Sequence, residues 1–193
     1  MTAVFRLTSL VAAAALAVQL AGCAQSSMAV PAATRGNTVK LYNANFDKVA
    51  VGSFTFDASQ NPALDKRNTI RAAGVLYAPG GSFAQHLGNT LKANLLAASL
   101  LDANAPTVIT GTMTLNRLNA AVGSGKSVLA ARFIVTRAGA VRYDQELKVE
   151  SRWNTSIGAE SLVQQAKREY ELLFSDLVGE LLDDDKFRVA ISK

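Results

Sequence analysis

Hydrophobic residues follow different periods along this chain, and each period predicts a different element. Lys48 to Phe56 (KVAVGSFTF) is rich in β-formers and almost continuously apolar. That pattern predicts a strand covered on both faces or lying centrally in a sheet. From Asp57 to Gly81 no period holds. Asn61-Pro62, Gly74 and Pro79-Gly80-Gly81 punctuate the stretch. It predicts a long loop of the kind that is functional or mobile, with room for a short strand near Gly74–Tyr77.

Ser82 to Leu101 changes to a helical period. Phe83, Leu87, Leu91, Leu95 and Ala98 fall on one stripe, and Ser82 with Gln85 three residues on forms a capping box. Pro106 closes the segment, because the residue before a proline avoids the helical region. Three alternating segments follow. Thr107 to Leu118 sets Ile109, Met113 and Leu115 against Thr110, Thr112 and Thr114. Val128 to Thr136 groups Leu129, Ala131, Phe133 and Val135. After a turn at Ala138-Gly139, Val141 to Trp153 sets Val141, Tyr143, Leu147 and Val149 against Arg142, Asp144, Glu146, Lys148, Glu150 and Arg152. So charged a face lies in water, and its mixed signs protect a sheet edge. A second helix, capped by Thr155 or Ser156, runs to about Leu182 with Leu162, Ala166, Tyr170, Leu173, Leu177 and Leu181 buried. Asp183-Asp184-Asp185 breaks it and caps a last short helix carrying Phe187, Ala190 and Ile191. The order strand–helix–three strands–helix predicts an α+β two-layer sandwich: a mostly antiparallel sheet with two helices on one face.

The N-terminal residues read differently. Arg6 and the terminal amine precede an apolar run, Leu10 to Leu20 (LVAAAALAVQL), followed by the small residues Ala21 and Gly22 and the only cysteine, Cys23. The run is shorter than the roughly 20 apolar residues that span a bilayer, so it reads as a secretory signal. Leu20-Ala21-Gly22-Cys23 resembles the lipobox of bacterial lipoproteins. The resemblance implies cleavage before Cys23, lipidation of its thiol with palmitate-type chains, and acylation of the new amino terminus. Three chains would make release negligible, whereas one binds marginally. Ala24, where an Asp usually signals inner-membrane retention, implies the periplasmic side of the outer membrane. Residues 1–22 are thus expected as signal peptide, 23–40 as lipid anchor and flexible tether (AQSSMAVPAATRGNT follows the cysteine), and 41–193 as one periplasmic domain.

Composition narrows the function. Removing residues 1–22 leaves 193 − 22 = 171 residues and takes away Arg6, so the net charge falls from +5 to +4. That is chain enough for one domain with a core. The cations are scattered, which argues against nucleic-acid binding. With Cys23 lipidated no thiol remains, so packing alone must stabilise the fold.

The candidate chemistry is sparse. Gly123-Ser124-Gly125-Lys126-Ser127 copies the tail of a P-loop, but Ala120 replaces the glycine the motif needs and a β-rich run follows. A hairpin loop explains the letters better than nucleotide binding. His86 is the only histidine; with no second His and no free Cys it reads as a packing or surface residue. Asp183 to Asp185 lack the spacing of a calcium loop and read as a solvated helix end. Glu150 and Glu160 do not form an obvious catalytic pair. Trp153, the lone tryptophan, is expected to close the core rather than to form an exposed stacking surface. No catalytic residue, metal or cofactor is expected.

Ala131-Arg132-Phe133-Ile134-Val135-Thr136-Arg137, Val141 to Leu147 (VRYDQEL) and Arg152-Trp153 resemble uncharacterised proteobacterial lipoproteins similar to YajG. The likeness extends through Gly111-Thr112 and Leu181-Leu182 to Phe187. More distantly, the element order is similar to the auxiliary lipoproteins of ABC-type transport systems and to outer-membrane activators of peptidoglycan synthases. Taken with the sparse chemistry, these readings lead us to expect a non-enzymatic outer-membrane lipoprotein that binds an envelope protein partner through a sheet edge, the 57–81 loop or the wet sheet face, in transport or assembly. A transport accessory should show an apolar groove between sheet and helices. The alternatives are a synthase activator, with a polar convex surface and a longer tether, or an envelope hydrolase built on a carboxylate pair or a serine.

Overall fold

The protein was analysed as a computed structural model, which describes residues 25–42, 45–70, 74–155 and 159–193. The chain enters as a short strand, β1 (Gln25–Ser27), and a helix, α1 (Arg35–Tyr42). Strand β2 (Ala50–Phe56) follows, then β3 (Arg67–Ile70) and β4 (Gly74–Tyr77). Helix α2 (Phe83–Ala97) leads into three long strands, β5 (Thr107–Ala121), β6 (Ser124–Arg137) and β7 (Ala140–Trp153). Helices α3 (Ala159–Asp183) and α4 (Asp185–Ile191) end the chain.

Two sheets result. The larger runs β2-β5-β6-β7, with β2 parallel to β5 and the other pairs antiparallel. The α+β sandwich expected from the sequence is therefore present, with α2 and α3 covering one sheet face. The elements match their signals closely. Ser82 Oγ accepts from the Gln85 amide at 3.1 Å, completing the predicted cap, and Phe83, Leu87, Leu91 and Leu95 are fully buried. Ala138 and Gly139 adopt φ of 50° and 82°, as a two-residue hairpin turn demands. The six residues of the α3 stripe are buried, together with Val163, Phe174 and Val178.

Other expectations are corrected. Strand β2 lies at a sheet edge, not centrally. The chain returns through α2 to pair β5 parallel on one side of β2, and the hairpins β5-β6-β7 then extend away from it. Leu115 does not share a face with Ile109 and Met113. A bulge between Met113 and Leu115 shifts the alternation, so Asn116 and Leu118 turn inward and Leu115 turns out. The hairpin turn before β6 is tighter than expected, at Val122-Gly123, so Ser124 to Ser127 already belong to the strand.

The largest correction concerns the small sheet, ordered β1-β4-β3, with β1 parallel and β3 antiparallel to β4. Residues 57–81, expected as an open loop, supply β3, β4 and two 3-10 turns, Pro62–Asp65 and Pro79–Gly81. Residues 25–42, expected largely as a flexible tether, supply β1, α1 and an extended strap over 28–34. These segments are short, and besides the buried Met28, Leu41, Ile70 and Leu76 they are held by polar contacts that leave no period. Asn68 Nδ2 donates to Asn116 Oδ1 (3.2 Å) and to the Tyr170 hydroxyl (3.0 Å), Tyr170 donates to Asn116 Oδ1, and Asn116 Nδ2 donates to the Leu64 carbonyl (2.6 Å). This buried network ties the small sheet to β5 and α3. Helix α1 docks on α3 in the same manner. Asn37 Nδ2 donates to the Ser175 carbonyl and Lys40 Nζ to that of Gly179. A Cβ on Gly179 would lie 3.0 Å from Asn37 Oδ1, so the close approach favours glycine there.

Candidate functional site

Cys23, the predicted lipidation site, lies outside the described residues, as do residues 1–22 and Ser156. The first described residue, Gln25, is already in β1 and pairs with Val75. Met28 is buried, and its amide donates to the Tyr77 carbonyl at 3.3 Å. The strap then crosses α2 and α3. At one end the Ala29 amide donates to Glu171 Oε1 (2.6 Å), and at the other the Thr34 amide donates to Asn94 Oδ1 (3.0 Å). Between the strap and the helices lies a shallow recess of about 240 Å³, bordered by Val30, Pro31, His86, Thr90 and Leu172.

His86 forms part of that recess and is only 4% exposed. Its ring meets Phe174 edge-on, with centroids 4.7 Å apart, and its Nδ1 has no hydrogen-bond partner among the described residues. Burial pushes its pKa down to about 4, so the imidazole is neutral near pH 7. This is the packing histidine that the sequence predicts. Among the described residues, no group of three or more His, Cys, Asp or Glu is placed to hold a metal ion.

The other candidates are also placed by packing and capping. Asp184 Oδ1 accepts from the Lys186 and Phe187 amides and caps α4, while its Oδ2 accepts from the Tyr143 hydroxyl at 3.1 Å. Asp183 pairs with Lys40 at 2.5 Å. The Thr155 hydroxyl donates to the Ala121 carbonyl at the β5–β6 hairpin end; the turn into α3 that it was expected to cap, residues 156–158, lies outside the described residues. Glu150 binds Lys126 (2.9 Å) and Arg152 (2.6 Å), which hold its carboxyl below the usual range. Glu160 falls in the first turn of α3, where its side chain lies outside the described residues. Trp153 packs against the core with its ring across Gly125, where a Cβ would stand 2.1 Å from the ring. Gly125 is thus required by the tryptophan, not by a phosphate.

Two open recesses flank β7. One, of about 560 Å³, sits at the β5–β6 hairpin end beside Asn119, Lys126, Arg152 and Trp153. The other, of about 630 Å³, runs beside Lys148, Val149 and Glu150 and is walled by α1 and α3. Asp176 stands in the second. Burial raises its carboxyl pKa, with help from Glu180 and against the pull of Lys40. The space between the larger sheet and its helices is filled by fully buried side chains, among them Phe83, Phe133, Phe174, Tyr170 and Leu91.

No family model matches the chain, and no curated protein matches it. Solved structures do share its architecture. A DUF330-family protein from Xanthomonas campestris matches with a TM-score of 0.53 at 8% identity, over 82% of this chain and 95% of that one. A minor lipoprotein from Acinetobacter baumannii matches with a TM-score of 0.43 at 13% identity, over 73% and 93%. Rare lipoprotein B from Shewanella oneidensis matches with a TM-score of 0.40 at 8% identity, over 69% and 90%. At such identities likeness speaks for the fold alone, and the chain shares the fold of the DUF330-family protein.

Proposed function

We propose that this protein is a lipid-anchored, non-enzymatic envelope module that binds a protein partner at the periplasmic face of the outer membrane. The observation that carries the reading is how few residues separate the lipobox-like segment from β1. The lipobox-like Leu20-Ala21-Gly22-Cys23 ends two residues before β1, and β1 is held by β4, by buried Met28 and by the Ala29–Glu171 hydrogen bond. Acyl chains on Cys23 would therefore seat the domain directly on the membrane, with almost no tether to extend its reach. Ala24 supports the outer membrane as the destination, and the resemblance to YajG-like lipoproteins supports the class.

The same geometry orders the alternatives. A synthase activator needs reach, and residues that would supply it are folded against the domain. A lipid-carrying transport accessory needs an apolar groove, and aromatic side chains fill the space where it would lie. A hydrolase needs a converging pair of acids, and Glu150 is committed to two cations. A partner-binding module needs surface, which the edge and recesses of β7 supply.

The test is acylation and fractionation of the full-length chain beside Cys23→Ser. The expected result is incorporation of labelled palmitate and recovery with outer membranes for the parent, and a soluble periplasmic protein for Cys23→Ser. An unmodified Cys23 thiol, or identical partitioning of both chains, overturns the anchoring. Crosslinking in native envelopes should then capture a protein dependent on Cys23; capture of bulk lipid and cell wall alone overturns the partner-binding role.

A further inference from the structure

The outer edge of β7 pairs with no strand among the described residues. Beyond Tyr143, which α4 covers through Phe187 and Asp184, the strand stays in unbroken register with β6 as far as Trp153. No proline or glycine interrupts it. Such an edge presents a row of free N–H and C=O groups to another strand. The recess beside Lys148, Val149 and Glu150 leaves open space along it. By composition its alternating charges look protective. Their order, however, blocks some pairings and permits others.

We propose that two copies of this protein pair antiparallel through β7, about a two-fold axis at Val149, joining their larger sheets into one. Isologous pairing places residue i opposite residue j with i + j constant, and only an even sum keeps like faces together. With the axis at Val149, Glu146 meets Arg152 and Lys148 meets Glu150, each twice by symmetry. No like charges meet. An axis at Val149 pairs residues 145–153 and stops short of the part of β7 covered by α4. Registers that pair at least as much of the strand all bring like charges together. An axis at Lys148 opposes Lys148 to itself and Glu146 to Glu150; one at Leu147 opposes Asp144 to Glu150; one at Glu146 opposes Glu146 to itself. Directly opposed like charges are destabilising, so the pattern selects one register.

An edge pair buries less than a standard interface, so pairing is weak in dilute solution. Here the inference rests on the anchoring proposed above. Two copies held in one membrane meet at a raised effective concentration, which turns a weak contact into a populated one. The partner of this module is then a second copy of the chain.

The experiment is disulfide trapping of the full-length chain in native envelopes. Val149→Cys, on the axis, is expected to give a reducible band at twice the chain mass, because directly opposed residues lie within disulfide reach. Leu147→Cys alone is expected to give none, since its copy lies about 13 Å away along the strand. Leu147→Cys and Ser151→Cys chains expressed together are expected to restore the band, and this pair keeps the test valid if Val149→Cys folds poorly. In the Val149→Cys background, Glu146→Lys should lower the trapped fraction about threefold or more, and adding Arg152→Glu should recover it. Equal bands from Leu147→Cys alone, a band at another protein's mass, or no band while the chain remains membrane-bound each overturn the pairing. Loss of the chain from membranes points instead to failure of the anchoring.

Discussion

The two sheets of this protein are held together by different physics. The larger sheet and its helices α2 and α3 are an apolar structure. Phe133 and Val135 from the sheet meet Leu87, Leu91, Phe174 and Leu177 from the helices, and all are fully buried. The smaller sheet, with the strap and α1, shares that core through Met28, Leu41, Ile70 and Leu76, and is joined to the body further by polar side chains that reach backbone groups or one another. Asn68, Asn116, Asn37 and Asn94 do most of this. The first half gains stability roughly in proportion to area removed from water. The second adds to its share of that area a few buried hydrogen bonds whose loss leaves partners unpaired. A small number of substitutions should therefore act on the two halves very differently.

The largest effect is expected at the joint. Asn116→Leu would leave the Tyr170 hydroxyl, the Asn68 amide and the Leu64 carbonyl without their shared partner. The expected cost is about 2–4 kcal/mol, because several buried polar groups lose satisfaction at once. Thr112→Val, on the wet face of the same strand, should stay within about 0.5 kcal/mol of the parent. Urea denaturation of both variants checks this. A cost for Asn116→Leu under about 1 kcal/mol would mean that apolar contacts alone join the halves.

This contrast also explains what the sequence could and could not convey. The larger half was legible because its burial is periodic. Leu162 to Leu181 repeats at helical spacing, Leu129 to Val135 alternates, and Ser82 and Asp184 cap where their positions predict. The smaller half has no length over which a period can be seen. Strands β1, β3 and β4 are three or four residues each, and the buried side of α1 includes Asn37. What holds these pieces is remote in sequence, so composition makes them look like tether and loop. The bulge that turns Asn116 inward was hidden for the same reason: alternation counted from Ile109 runs straight through it. Among the candidate residues, His86 and Trp153 pack against the core and Asp184 caps the last helix, all within the readings their sequence contexts support. The pairing edge of β7 was legible only as a charge pattern, because its meaning depends on the strand being outermost.

A second effect of intermediate size involves the border between the halves. His86 belongs to α2 but lies beside the strap. Burial depresses its folded pKa to about 4 from the ordinary histidine value of 6.5. The unfolded chain therefore binds the proton first on acidification. The stabilising contribution of the neutral ring is complete above about pH 6.5 and is lost as pH falls towards 4, with a slope of about 1.4 kcal/mol per pH unit. Denaturation midpoints measured across that window should fall accordingly, and His86→Leu should remove this component. Asp176 has the opposite sign. Its raised pKa gives a contribution present at low pH and lost as pH rises through the folded value. An Asp176→Asn background therefore removes this opposing contribution. An unchanged slope in His86→Leu would assign the acid sensitivity elsewhere.

The smallest expected effect is the most local. Glu171 accepts the Ala29 amide at 2.6 Å and lies 4.0 Å from Lys167, an i,i+4 pair on α3. Exposed bonds of this kind contribute about 1 kcal/mol or less to the whole fold. Glu171→Ala should therefore leave the global midpoint nearly unchanged. It should still release one end of the strap, because that end has the Met28–Tyr77 bond and few other backbone contacts to hold it. Hydrogen exchange at Ala29 and Val30 should rise several-fold while amides of β6, at the centre of the larger sheet, keep their protection. If β6 exchanges faster as well, the strap and the larger sheet unfold as one unit, and the division between an apolar body and a polar-pinned attachment fails. If neither changes, the strap is held by packing of Met28 and Pro31 rather than by its terminal hydrogen bonds.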